Sequence, residues 1–196
     1  MTVNVAKTKE IVFHKPSPMR FIAPTPIEGI SQVKEALMLG VFFSHNLKFD
    51  SHILKCLCQC SQRSFLLKKL FSMGLSKKLV EVVFKAIVLS RITYALPAWG
   101  GFVSSECIGK INSFLKRMQR FGYISSVIEF DDLLKDCDKK LFDKICTVSH
   151  CLNHLLPSVK NGDMFLRARG HNYCLPSGYS LLHKKSFVLR SLFNFV

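Results

Sequence analysis

Apolar and polar positions alternate along this chain with periods that change from region to region. Between residues 79 and 94 apolar side chains nearly encircle a helical wheel. Leu79, Val83, Ala86, Ile87 and Tyr94 take one side, and Phe84 and Val88 another. Only Lys78, Glu81 and Lys85 form a plainly polar stripe, with Glu81 and Lys85 spaced for an i,i+4 ion pair. A helix that is apolar almost all round is normally covered by neighbours. This stretch is therefore expected to be the central element, opened by Ser76 as N-cap. Pro97 is expected to stop it, and Gly100 and Gly101 to turn the chain behind Trp99.

The other elements are arranged around it. Residues 1–47 carry extended-type apolar runs over 9–14 and 38–43, separated by a loop with Pro16, Pro18, Pro24 and Pro26. A small antiparallel β-unit is expected there, too short for a core of its own. From 48 to 71 the period becomes helical, with Phe49, Ile53, Cys56, Cys60, Leu67 and Phe71 on one arc. Residues 105–121 have the clearest amphipathic pattern. Ile108, Ile111, Phe114, Leu115, Met118 and Phe121 face one way, and Gly122 is placed as the C-terminal cap. An acidic turn over 130–138 leads to an expected helix over 139–155, followed by a loop-like stretch and a last helix over 181–193. The pattern predicts a mainly α (α+β) fold, with the β-unit packed on a bundle of four to five helices. Three regions follow: 1–47, 48–122 and 123–196.

Charge changes this picture more than composition does. Twenty-eight Lys and Arg against 13 Asp and Glu give a formal net charge of +15, which favours a polyanionic partner. The cations recur in three places: Lys55, Arg63, Lys68 and Lys69; Lys110, Lys116, Arg117 and Arg120; and Arg167, Arg169 and His171. One cationic helix face is usually just solvated. Repetition across elements favours a surface that tracks a phosphate backbone. The most apolar stretch is interrupted by Glu81, Lys85 and Arg91, which makes it a poor membrane span. Residues 1–13 lack the apolar run of a secretory signal, so the eight cysteines are expected to be reduced, in the cytoplasm or nucleus.

Candidate chemistry is sparse. Cys56, Cys58 and Cys60 cannot chelate one ion from a helix, because Cys58 faces away from the other two; they read as core filling. Cys146, His150 and His154 share a face of the expected helix, but span about 12 Å, too far for one zinc without ligands from elsewhere, such as His171 or Cys174. Asp131 and Asp132 follow Phe130, one residue out of place for a polymerase aromatic-x-Asp-Asp signature, and read as carboxylates at a helix N-terminus. No catalytic residue, metal or cofactor is assigned.

Several segments resemble non-LTR (LINE-type) retrotransposon reverse transcriptases. Asn4, Lys7 and Thr8, followed by Ile11, Val12 and Phe13, are similar to the N-x-x-K-T segment just after that family's catalytic strands. Leu39, Gly40 and Val41, then Leu47, Phe49, His52 and Ile53, are similar to the stretch that closes the palm and enters the thumb. Tyr94, Ala95, Pro97, Trp99, Gly100 and Gly101 resemble the Y-A-x-P-x-W motif of the helical thumb. Leu155 to Pro157, the Leu166–His171 run with Tyr173, and Lys185 to Phe193 are similar to the C-terminal region. The resemblance implies palm edge, thumb and connector, with the catalytic aspartates lying upstream of the matched segments. It implies a non-catalytic partner for RNA, DNA or an RNA–DNA hybrid, and an upstream palm as protein partner. N-x-x-K-T segments also resemble the N-terminal region of an AlkB-like alkylated-DNA repair homologue. That implies dioxygenase or methyltransferase activity, but the iron-binding HxD and a glycine-rich cofactor loop are missing. A vestigial association module without activity is the remaining alternative.

Overall fold

Leu39 and Gly40 both have positive φ, +48° and +82°. That is the backbone twist a two-residue hairpin turn requires. The apolar run over 38–43, expected to be one strand, is therefore folded in two. β3 (Glu35–Met38) pairs antiparallel with β4 (Val41–Ser44), Met38 opposite Val41. The Tyr94 hydroxyl donates to the Leu39 carbonyl at 2.8 Å and holds the turn against the helices. A second pair also departs from expectation: β1 (Lys9–Glu10) lies parallel, not antiparallel, to β2 (Ser31–Gln32). The long proline-rich connection between them permits this, since parallel strands need an extended crossover.

The computed structural model describes residues 4–14, 21–160 and 170–195. Its fold is mainly α with these two small sheets, an α+β arrangement. α1 (Asp50–Ser72) buries Ile53, Cys60 and Leu67 on one line and turns Cys58 away from it, so of the three cysteines read as core filling Cys60 is buried, Cys56 half-buried and Cys58 exposed. β4 packs on its start, with the Phe43 and Phe49 rings edge to face at 5.6 Å.

The expected central helix is α2 (Lys77–Phe84), a π turn (Lys85–Leu89) and α3 (Ser90–Thr93). Glu81 and Lys85 do pair, at 2.8 Å. The helix is not covered all round, however. Only Val80, Phe84, Val88 and Ile92 are buried, while Leu79, Val82 and Tyr94 are more than half exposed (53%, 62% and 51%). Neighbours pack on one face alone. Positions four apart drift by about 40° per step at about 3.6 residues per turn, and the wider π turn takes up part of that drift. Carbonyls along this stretch are met from α1: Arg63 Nη1 donates to Ile87 O at 2.6 Å, Cys60 Sγ to Val88 O at 3.8 Å, and Cys56 Sγ to Arg91 O at 3.6 Å.

Two expected boundaries also change. The Ser76 side chain makes no capping hydrogen bond. Pro97 does not stop the helix, which ends at Tyr94 where the backbone becomes extended. Ala95 then turns with φ +50°, and Pro97 sits in the first turn of α4 (Leu96–Trp99), where a missing N–H costs nothing. Trp99 Nε1 donates to Tyr94 O at 2.9 Å, which satisfies the carbonyl at the break.

α5 (Ser105–Arg120) starts at Ser104, whose side chain accepts from Cys107 N, and ends before Gly122 at φ +75°. α6 (Phe130–Ile145) corrects the next expectation: the acidic turn is itself helix, and the helix ends ten residues early. Asn112 Oδ1 accepts from Phe130 N at 2.9 Å at its start. At its end Asn153 Nδ2 donates to Ile145 O at 2.8 Å, occupying a carbonyl that a continuing helix would use. The expected last helix is two pieces, α7 (Leu181–Lys184) and α8 (Phe187–Asn194), broken at Lys185 and Ser186. One large apolar cluster runs from Val41 to Phe130; a small one joins Phe142 and Ile145 to Leu189 and Leu192.

Candidate nucleic-acid interface

α1 and α5 lie side by side and start at the same end. Asp50 Oδ1, in the first turn of α1, accepts from Ser104 Oγ at 3.0 Å and Cys107 Sγ at 3.2 Å. At the far end the Phe71 ring meets Tyr123, just beyond α5, at 6.1 Å. Between them runs an open groove of about 610 Å³. Leu57 and Ser61 of α1 line one side, and a stripe of α5 from Glu106 to Arg120 lines the other. Gly109 and Ser113 keep that stripe low, and a Cβ on Gly109 would meet nothing within 4 Å.

Lys110, Arg117 and Arg120 stand on this groove. Ten residues separate the first from the last, about 15 Å along the helix at about 1.5 Å per residue. The Arg117 guanidinium lies 5.4 Å from the centre of the Phe114 ring, which is buried beneath it. Lys110 Nζ is 2.7 Å from Glu106, and that hydrogen bond and charge raise the lysine's pKa. The groove therefore carries the Arg117 and Arg120 guanidinium groups, the Lys110–Glu106 pair and the small polar side chains of Ser61 and Ser113.

The other cations named from the sequence go elsewhere. Lys116 lies outside the groove, 4.0 Å from Glu129. Lys55 Nζ sits 3.4 Å over the Phe42 ring, against the hairpin. Arg63 is half-buried at the Ile87 carbonyl, where it supports the π turn. Lys68 and Lys69 are exposed on the last turns of α1, without an acidic partner among the described residues. Arg167 and Arg169 lie outside the described residues. His171, from the same basic run, is turned inward, with Nε2 2.7 Å from Leu192 O.

Sequence reasoning missed Ser61, Gly109 and Ser113. The signal was present on α5, since 106, 109, 110, 113, 117 and 120 recur at helical spacing. It was absent for Ser61, which comes from a different helix.

The residues weighed for metal or redox chemistry are dispersed. With α6 ending at Ile145, Cys146, His150 and His154 no longer share a helical face, and His150 Nδ1 accepts from Leu152 N at 3.2 Å. Among the described residues no group of three or more His, Cys, Asp or Glu could hold a metal ion. All eight cysteines are free. The Cys60 hydrogen bond lowers the pKa of Cys56, helped by Arg91 and Arg63, while the same contact raises that of Cys60. Among the described residues no helix is long and apolar enough to cross a membrane. No family model, curated protein or solved structure matches the chain.

Proposed function

We propose that the chain binds a nucleic-acid backbone without acting on it, as a thumb-like piece of a LINE-type reverse transcriptase. The observation that carries this reading is the convergence of Lys110, Arg117 and Arg120 on one groove beside α1. The net charge of +15 supplies the long-range attraction. Phe114 is buried rather than presented to a base, so the groove contacts phosphate and carries no sequence information.

The test is the salt dependence of binding to a labelled RNA–DNA hybrid. Replacing Arg117 and Arg120 by Gln should lower the slope of log K against log salt by roughly 1.5, at about 0.7–0.9 per phosphate contact. Lys116→Gln, outside the groove, should leave the slope unchanged. A folded double variant with the wild-type slope removes the groove from the function.

One observation favours a second reading, association with another protein. Leu37, Met38 and Leu39 are exposed at the hairpin tip (60%, 56% and 85%), on sheets of only two strands with open edges. The upstream palm of such an enzyme would be the partner. Nothing in the groove favours the repair-enzyme alternative.

A further inference from the structure

A second cavity lies away from the basic groove. It is a cleft of about 900 Å³ where the loop after β4 and the starts of α1 and α5 face α7. Its walls are mainly apolar, built from Phe13, Leu47, Phe102, Leu181 and Leu182. Leu47 enters through an unusual backbone: its φ is +55°, in a loop that Asn46 Oδ1 braces by accepting from Ser44 Oγ and Lys48 N. A β-substituted residue held in that region is a feature the surrounding structure must impose.

Two cations stand among the polar groups around the cleft. Lys48 and Lys185 both line it, and neither has an acidic partner among the described residues. Asp50 is also at the wall, but its Oδ1 is engaged by Ser104 and Cys107. His45 stacks obliquely on His14 with ring centres 4.9 Å apart. Its Nδ1 is buried and has no hydrogen-bond partner among the described residues.

We propose that this cleft is a binding site for a long-chain carboxylate, such as a fatty acid. Its volume is that of a small-molecule site. The acyl chain lies along the leucine and phenylalanine walls, and the carboxylate meets Lys48 and Lys185. An uncharged lipid would leave the two ammonium groups unused. A compact inorganic anion would leave the apolar walls wet.

Displacement of the fluorescent fatty acid cis-parinaric acid from the full chain tests this. Oleate should displace it at one site per chain, about tenfold more tightly than oleyl alcohol. Inorganic phosphate should not displace it. In Lys48→Gln/Lys185→Gln the two oleyl ligands should bind within about twofold of each other, with affinity for the alcohol retained. Retention of the alcohol shows that the cleft is still folded. A highly cationic protein attracts anions generally, so Lys77→Gln/Lys78→Gln, at the opposite end of α1, provides the control and should keep the full preference. The proposal is overturned by non-saturable binding, by equal affinity for acid and alcohol in the wild-type chain, or by equal loss in both double variants.

Discussion

The two apolar clusters are held together by different means. Between Val41 and Phe130, twenty buried apolar residues from the hairpin and α1 to α6 pack together, Trp99 among them, and the Trp99 and Arg63 N–H groups cap carbonyls. Between Phe142 and Leu192 there are four, and these sit beside polar ties. Arg190 makes a two-pronged ion pair with Asp138, Nε to Oδ2 at 2.6 Å and Nη2 to Oδ1 at 2.8 Å. The same guanidinium donates to Pro97 O at 2.9 Å and Lys185 O at 2.5 Å, which ties α8 to α4, α6 and the end of α7. His171 reaches Leu192 O. The four buried side chains, with partly buried neighbours such as Phe187 and Phe193 packed against them, contribute apolar burial, which is non-directional. Directional charge-assisted bonds add the geometry. The pair is a device of orientation more than of stability, since a buried ion pair often adds little over a well-packed apolar pair.

The largest expected effect is in the large cluster. Trp99→Ala removes a side chain that is 1% exposed, and leaves Tyr94 O without its donor. It should cost about 3–5 kcal/mol in urea denaturation. A cost below about 1 kcal/mol would mean that this cluster does not close around Trp99.

Next comes Arg190→Ala, which strands the Asp138 carboxylate at 1% exposure. About 3 kcal/mol is expected, the low end for a broken buried pair because Arg190 itself is 12% exposed. Asp138→Leu/Arg190→Met should recover most of the loss while loosening α8, read as faster amide exchange over Phe187–Asn194. A double variant as unstable as the single one would show that the tie is stabilising in its own right, and the contrast between clusters would fail.

The smallest effect sharpens the contrast at a single ring. His52 is buried in the large cluster, 5.0 Å from Trp99, and its Nε2 has no hydrogen-bond partner among the described residues. Burial lowers its pKa by disfavouring the charged form. As pH falls, the unfolded chain takes up the proton first. The stability associated with a neutral His52 is thus complete above the ordinary histidine range and declines as pH falls through and below it. His52→Met should not show that decline, so the stability difference between variant and wild type should be flat above about pH 7 and change below about pH 6. Parallel pH profiles would remove His52 as a source of acid sensitivity.

Local pattern determined a good deal of this protein. The 3.6-residue period of Ile108, Ile111, Phe114, Leu115 and Met118, with a serine before it and a glycine after, specifies α5 to within a residue. The mainly α class follows from such periods, and the exposed Cys58 from helical geometry alone. The start of α6 is misplaced at 139, although Phe130, Leu133, Leu134, Cys137 and Leu141 keep the helical period, because the acidic residues of its first turns read as a turn.

Other features were decided only in three dimensions. An all-apolar wheel does not say which face will be covered, and α2–α3 buries only the stripe its neighbours reach. The end of α6 is set by Asn153 folding back on Ile145 O, a contact that propensity does not contain. Of the ten cations named from the sequence, three share the groove, Lys55 and Arg63 are absorbed into packing, and Lys116 faces Glu129. The physical reason is common to all of these cases. Periodicity and charge are properties of a segment, whereas burial, convergence and capping depend on the distance between segments, and only packing sets that distance.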